Sequence, residues 1–200
     1  MKGRTMKEII ERMRTLILVA VTGVMAACSG CLDDMSETIE DKSAGLNGDF
    51  EIVKAGFPVN WLFYTTNTVS NGDFDLVIDD QEFHSGKKSL KFVVRECSDE
   101  GGLHSPGFTR ELSAEPGATY QISFWIRNRD SEVRFIAGAV SAFEGEYQVD
   151  NRIIETIEEW KYLEYKVYVP AKYNRLRFQL NILKPGTFWI DDLNVEKISK

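Results

Sequence analysis

The chain has 200 residues, with 24 Lys/Arg against 31 Asp/Glu and a formal net charge of −7. That acidity argues against nucleic acid as a partner, because such binding rests largely on cations that neutralise phosphates. Of three cysteines, Cys28 and Cys31 lie beside an apolar leader and Cys97 stands alone, so no disulfide framework is indicated.

The first segment, MKGRTMKEIIERMR, reads as a basic n-region diluted by Glu8 and Glu11. TLILVAVTGVMAA follows as an apolar h-region of thirteen residues, short for a bilayer span but suited to a secretory signal. MAAC and CSGC come next and resemble the lipobox of bacterial lipoproteins, whose cysteine is acylated and becomes the mature N-terminus. Cys28 lies closer to the h-region, Cys31 is followed by the acidic LDD, and either is a candidate for lipidation. A Cys31–Cys97 bridge is open only if Cys28 carries the lipid. The expectation is a membrane-attached envelope protein, anchored at the outer membrane on its surface or periplasmic face.

Residues 1–30 carry five Lys/Arg against two Asp/Glu, so the rest of the chain has a formal charge of −10. LDDMSETIEDKSAGL (32–46) is acidic and nearly free of aromatics, the composition of a flexible tether. The chain therefore divides into a leader (1–30), a tether (31–45) and one domain (46–200) large enough for a proper core.

That domain reads as all-β. SLKFVVREC, TYQISFWIRN, VRFIAGAVSAF, WKYLEYKVYVP, RLRFQLNIL and TFWIDDLNVEKI are strand-length runs rich in aromatic and β-branched residues. HSGKK, EPGA, NRDSE, VPAKYN and KPGT supply turns between them. RIIETIEEW is the one helix-like candidate, without a stop signal. Many short strands at even spacing predict a β-sandwich or jelly roll.

Strand alternation then sorts the side chains. Tyr120, Ile122, Phe124 and Ile126 form an apolar face, leaving Trp125 and Arg127 opposite. Leu163, Tyr165, Val167 and Val169 turn inward, leaving Tyr162, Glu164, Lys166 and Tyr168 outward. Leu176, Phe178, Leu180 and Ile182 turn inward, leaving Arg175, Arg177, Gln179 and Asn181 outward. Aromatic rings stack on the C–H face of a pyranose, while guanidinium and amide groups bond its hydroxyls. Trp125, Arg127, Tyr162, Arg177, Gln179 and Asn181 are thus the candidate ligand contacts, with Trp125 as platform and Arg127 and Gln179 flanking it. Phe143 and Tyr147 are second-rank contacts in a groove-edge loop.

NGDFE (47–51), a tryptophan ten residues on, HSGKKSLKF (84–92), PGATYQISFWIRN (116–128), EEWKYLEYKVYVP (158–170) and GTFWIDDLNVEKI (186–198) occur in that order. This order, over roughly 46–198, resembles carbohydrate-binding modules of families 4, 9 and 22, which share the galactose-binding-like β-jelly roll. The resemblance implies a polysaccharide or oligosaccharide partner, and it places Trp61, Trp160 and Trp189 in the core or at its rim. It also implies a structural calcium where the first and last strands meet. Its matching ligands would be Asp49 or Glu51, Asp191 or Asp192, and backbone oxygens around Lys87; hard oxygen donors suit that ion.

No His-rich cluster, nucleophile elbow or phosphate-cradling loop is present, and nothing marks a catalytic carboxylate pair. The expected function is non-catalytic carbohydrate binding. The alternative is a structural or protein-interaction subunit of an envelope complex that uses the same fold without sugar.

Overall fold

The computed structural model describes residues 38–142 and 144–200. The leader, Cys28, Cys31 and Phe143 lie outside them. The described residues form twelve strands and two three-residue 3-10 turns. The strands are β1 (Val53–Lys54), β2 (Phe57–Pro58), β3 (Leu62–Tyr64), β4 (Asp73–Asp79), β5 (Ser89–Glu96) and β6 (Gly107–Ser113). They continue with β7 (Thr119–Arg129), β8 (Glu132–Val140), β9 (Gly145–Ile153), β10 (Ile157–Tyr168), β11 (Arg175–Lys184) and β12 (Gly186–Ser199).

The period-two pattern is what makes these segments strands of a two-layer core. Ile122, Phe124 and Ile126 of β7 are wholly buried, as are Leu176, Phe178, Leu180 and Ile182 of β11 to within 2%. On β10, Val167 is buried, Leu163 and Tyr165 are half-buried, and the alternate residues are exposed. RIIETIEEW forms no helix. Ile153 closes β9 and Ile157 opens β10, both buried, with Ile154 exposed in the turn between them. Two inward isoleucines four apart mimic a helical face, and the sheet accepts them from two different strands.

Ten of the strands make two antiparallel sheets: β10-β7-β12-β5-β4, here sheet I, and β3-β6-β11-β8-β9, here sheet II. The chain folds as the expected all-β jelly-roll sandwich. Between the sheets lies an aromatic core in which Phe135 meets Phe178 at 4.6 Å and Phe124 at 5.0 Å. Trp61 stands edge-on to Phe108 at 5.2 Å. Such pairs add to what area burial alone supplies.

This topology has a direct consequence for the ligand residues. β7 belongs to sheet I and β11 to sheet II. In a two-layer sandwich the outward faces of the two sheets look in opposite directions, so Trp125, Arg127 and Tyr162 cannot share a groove with Arg177 and Gln179. Alternation assigns a residue to the outside of its own sheet and carries no information about which sheet that is.

The tether is shorter than its composition implies. Residues 38–45, expected within the flexible segment 31–45, are docked on the sandwich, with a 3-10 turn at Lys42–Ala44 capped by Asp41. Their backbone finds partners on Asn60: its amide N donates to the Ile39 carbonyl at 2.8 Å, and its side chain bonds Asp41 in both directions at 2.7 Å. A charged, aromatic-poor stretch cannot build a core, yet it can be held by a buried amide that belongs to another segment.

Candidate functional site

Asp191 and Asp192 sit where the last strand breaks register, between Asp191 and Asn194. A bulge of this kind re-aims side chains, and Asp192 adopts φ 50°. Both carboxylates therefore reach the same turn. Asp191, fully buried, accepts from the backbone N–H of His84 at 2.8 Å, of Ser85 at 3.2 Å and of Asp192 at 2.7 Å. Asp192 bonds His84 Nδ1 at 2.5 Å and accepts from Ser85 Oγ at 2.7 Å. Glu51 makes a parallel clasp one turn on, where its Oε1 accepts from the backbone N–H of Lys87, and from that of Lys88 at 2.9 Å. Gly86 lies at φ 66°, and a Cβ there would collide with Glu51 Oε1. The opening segment does meet the closing strand: Leu193 N donates to Gly48 O at 2.8 Å, leaving no room for a side chain at position 48.

The segments expected around calcium are thus assembled, but their donors do not fit the ion. Both oxygens of Asp191 and of Asp192 already accept or share protons, and residues 84, 85, 87 and 88 turn N–H groups towards carboxylates. Asp49 lies outside the clasp, with its Oδ1 3.5 Å from Glu51 N. Lys88 places its own ammonium in the seam, 2.7 Å from the Glu51 carbonyl and 3.9 Å from its carboxylate. Among the described residues no cluster of three or more His, Cys, Asp or Glu is arranged for a metal. Melting curves in EDTA and in millimolar calcium should superimpose. A rise in Tm with calcium would return the ion to the seam.

Trp125 is likewise occupied. The loop between β4 and β5 folds over the outside of sheet I and lays the His84 ring on Trp125, centroids 3.8 Å apart and planes 14° from parallel. Tyr162 closes in at 5.4 Å, and Trp160, half-buried, meets His84 at 6.0 Å. Arg127 pairs with Glu82 of the same loop. It also lies over Trp189, which is buried beneath Lys91, Arg127 and Arg129 and donates to Asp79 at 2.9 Å. Trp61 is core, as expected; Trp189 is buried on the outside of its sheet, by cations. This part of the face holds down a loop, and its Trp125 ring is covered; Tyr162 and Tyr168 on β10 remain exposed. Trp125→Ala should therefore lower stability by about 2 kcal/mol, through lost packing and stacking, and leave any binding on sheet II unchanged. Loss of binding with an unchanged Tm would reinstate Trp125 as a platform.

The open surface is the outside of sheet II. Leu62 and Tyr64 on β3, Thr109 and Glu111 on β6, and Arg177 and Gln179 on β11 line a groove of about 440 Å³. Register places Arg177 between Glu111 on one side and Gly138 on the other, with Tyr147 beyond Gly138. Arg177 donates to Glu111 Oε1 through Nε at 2.9 Å and also through Nη2, and reaches Tyr147 Oη at 2.9 Å. Arg175 holds the second Glu111 oxygen at 2.7 Å. Burial works against the Arg177 charge, but Glu111 and Tyr147 outweigh it and raise its pKa. Tyr64 is almost wholly buried, which pushes its phenol up while Thr109 opposes as a hydrogen-bond partner. A second hollow of about 220 Å³, beside Tyr147 and residues 140–142 and 144–145, shares Arg177 with the first. The two form a trough across the strands.

Of the expected ligand residues, Arg177 and Gln179 line this trough, as does Tyr147. Asn181 does not. It is buried, with Oδ1 accepting from Gly102 N at 3.0 Å and Gln179 Nε2 at 2.7 Å, and Nδ2 donating to Gly102 O at 2.9 Å. It fixes the 101–105 loop, whose exposed Leu103 forms the rim. Tyr64, Leu62, Thr109 and Glu111 escaped the sequence reading. Their one signal was the alternation of Thr109 and Glu111 with Phe108 in GFTRELS; β3, three residues long, carries none.

No protein-family model and no curated protein matches the chain. Solved structures share its fold. A family 4 carbohydrate-binding module superposes with TM-score 0.56 at 12% identity, over 76% of this chain and 98% of that one. The CBM22-1 xylan-binding domain of Paenibacillus barcinonensis Xyn10C gives 0.54 at 13%, over 76% and 93%. The CBM22-1–GH10 modules of Clostridium thermocellum Xyn10B, complexed with xylohexaose, give 0.53 at 14%, over 70% and 26%. The fold is that of carbohydrate-binding modules of the family 4 and 22 type.

Proposed function

We propose that the trough on sheet II binds a carbohydrate chain and that the protein is a non-catalytic glycan-binding module held at the cell envelope by an N-terminal lipid. The observation that carries this reading is the Arg177–Glu111–Tyr147 array on the floor of an open groove. A sugar hydroxyl both donates and accepts, so it is matched by fixed donors and acceptors side by side, with half-buried Leu62 and exposed Leu103 supplying apolar contact for ring carbons. Five strands about 4.8 Å apart span roughly 19 Å, room for a chain rather than a single ring. Both oxygens of Glu111 are already bonded to arginine, so it presents no free carboxylate to a glycosidic oxygen.

The test is titration of the full-length protein with xylohexaose, cellohexaose, laminarihexaose and mannohexaose. Saturable binding of at least one, unaltered on prolonged incubation, supports the reading. Failure of all four to bind counts against it, and cleavage would make the protein an enzyme. For the anchor, replacing both Cys28 and Cys31 by serine should move the protein from the membrane fraction to the soluble one; unchanged membrane retention would remove the lipobox.

A further inference from the structure

Asn60 is buried at 1% exposure, at φ 71°, a left-handed conformation that few non-glycine residues adopt. All its hydrogen-bonding groups serve the chain around it. Its N–H donates to Ile39 O, and its carbonyl accepts from Arg110 Nη1. Its Oδ1 accepts from Asp41 N, and its Nδ2 donates to the carbonyls of Asp41 and of Gly45 at 2.9 Å. Lys54 adds an ion pair to Asp41 at 2.9 Å. The segment so held is not remote from the trough: Thr38 and Glu40 line the same groove as Tyr64 and Arg177, and Glu40 lies 3.6 Å from Arg110.

We propose that residues 38–45 are a strap forming one wall of the ligand groove, and that Asn60 is the positioning residue that docks it. The inference rests on the sheet II reading of carbohydrate binding and extends it: the segment entering the domain from the N-terminal side belongs to the site. Docking and ligand binding are then linked, and each favours the other by the same factor. A ligand seated against Thr38 and Glu40 stabilises the strap, and loss of the strap weakens the ligand.

The test uses the full chain and the four hexaoses named above. Thr38→Ala with Glu40→Ala, both on the wall and outside the core, should leave Tm unchanged and weaken binding about fivefold. Asn60→Ala should weaken it at least as much. It should also release the amides of Ala44 and Asn47 to hydrogen exchange while those of β7 and β11 keep their protection. In the wild type, a bound hexaose should slow exchange at Ala44. Binding with an unchanged Kd in the Thr38/Glu40 variant overturns the strap and leaves the groove reading standing, as does free exchange at Ala44 in the wild type. Binding of none of the four hexaoses overturns the groove reading, and the strap's role falls with it. The Thr38/Glu40 variant decides the matter even if Asn60→Ala fails to fold.

Discussion

Arg177→Ala is expected to abolish most carbohydrate binding, lowering affinity between tenfold and a hundredfold, while Tm falls by no more than a few degrees. Among the described residues Arg177 is the one that lines both hollows of the trough, and its guanidinium holds Glu111 and Tyr147 in their places. Removing it takes away a charged donor worth roughly 1.5–3 kcal/mol to a bound hydroxyl and frees two neighbours that were ordered for the ligand. The stability cost is small because the side chain is about a third exposed and Glu111 keeps Arg175. Arg177→Lys restores the charge without the planar fork whose Nε and Nη2 both donate to Glu111 Oε1, so it should recover only part of the affinity. Full affinity in Arg177→Ala, measured against whichever hexaose the wild type binds, would remove the trough as the site.

Asp191→Ala should be the most destabilising single change outside the hydrophobic core. It strips three backbone N–H groups of their buried acceptor, in a turn that is itself only partly buried. Water can reach part of the turn, so the low end of roughly 1–3 kcal/mol per unsatisfied donor applies; a loss of about 3 kcal/mol follows, or on the order of 10 °C in Tm for a domain of this size. An unchanged Tm would mean that the clasp contributes nothing to the seam. The same residue sets a pH trend. Burial pushes the Asp191 carboxyl up to about 6, against the pull of the N–H groups of His84, Ser85 and Asp192. Between pH 4 and 6 the folded state therefore holds a proton that the unfolded chain has released, and stability declines as pH rises across that window. Asp79 acts in the opposite sense. Burial raises it, but the Trp189 indole, the Gln81 and Glu82 amides and Lys91 together bring it down to about 2, so its contribution is lost as pH falls from 4 towards 2. Asp191→Asn should lose this decline, so its Tm relative to the wild type should rise between pH 4 and 6. A difference between the two that does not change across that window would contradict this assignment.

How much of the site was legible depended on the range of the interaction concerned. The core faces of β7, β10 and β11 could be read residue by residue, because a strand's two sides are set by its own alternation. Arg177 and Gln179 were found that way. Trp125 was read correctly as outward and incorrectly as open, since the loop that covers it comes from residues 80–88, some forty positions earlier. Asn181 looked equivalent to Gln179 two residues away, yet it is committed to a loop from residues 101–105. The paired aspartates signalled a site of some kind. Whether their partners were oxygens around a cation or N–H groups of a turn depended on how residues 84–88 present their backbone, which composition does not encode.

By itself the sequence determined the all-β class, the inward residues of the central strands and the acidity that argues against nucleic acid. These follow from alternation and charge, which act over a few residues or over the whole chain; the meeting of NGDFE with IDD was implied only by the resemblance in motif order. Only the tertiary structure decided which outward face is open. Whether two outward residues share a groove is a matter of strand order, and strand order is set by pairings between segments as far apart as β6 and β11. Those pairings form because they bury the common aromatic core. The groove above it, with Tyr64, Glu111 and Arg177 side by side, is a product of that packing.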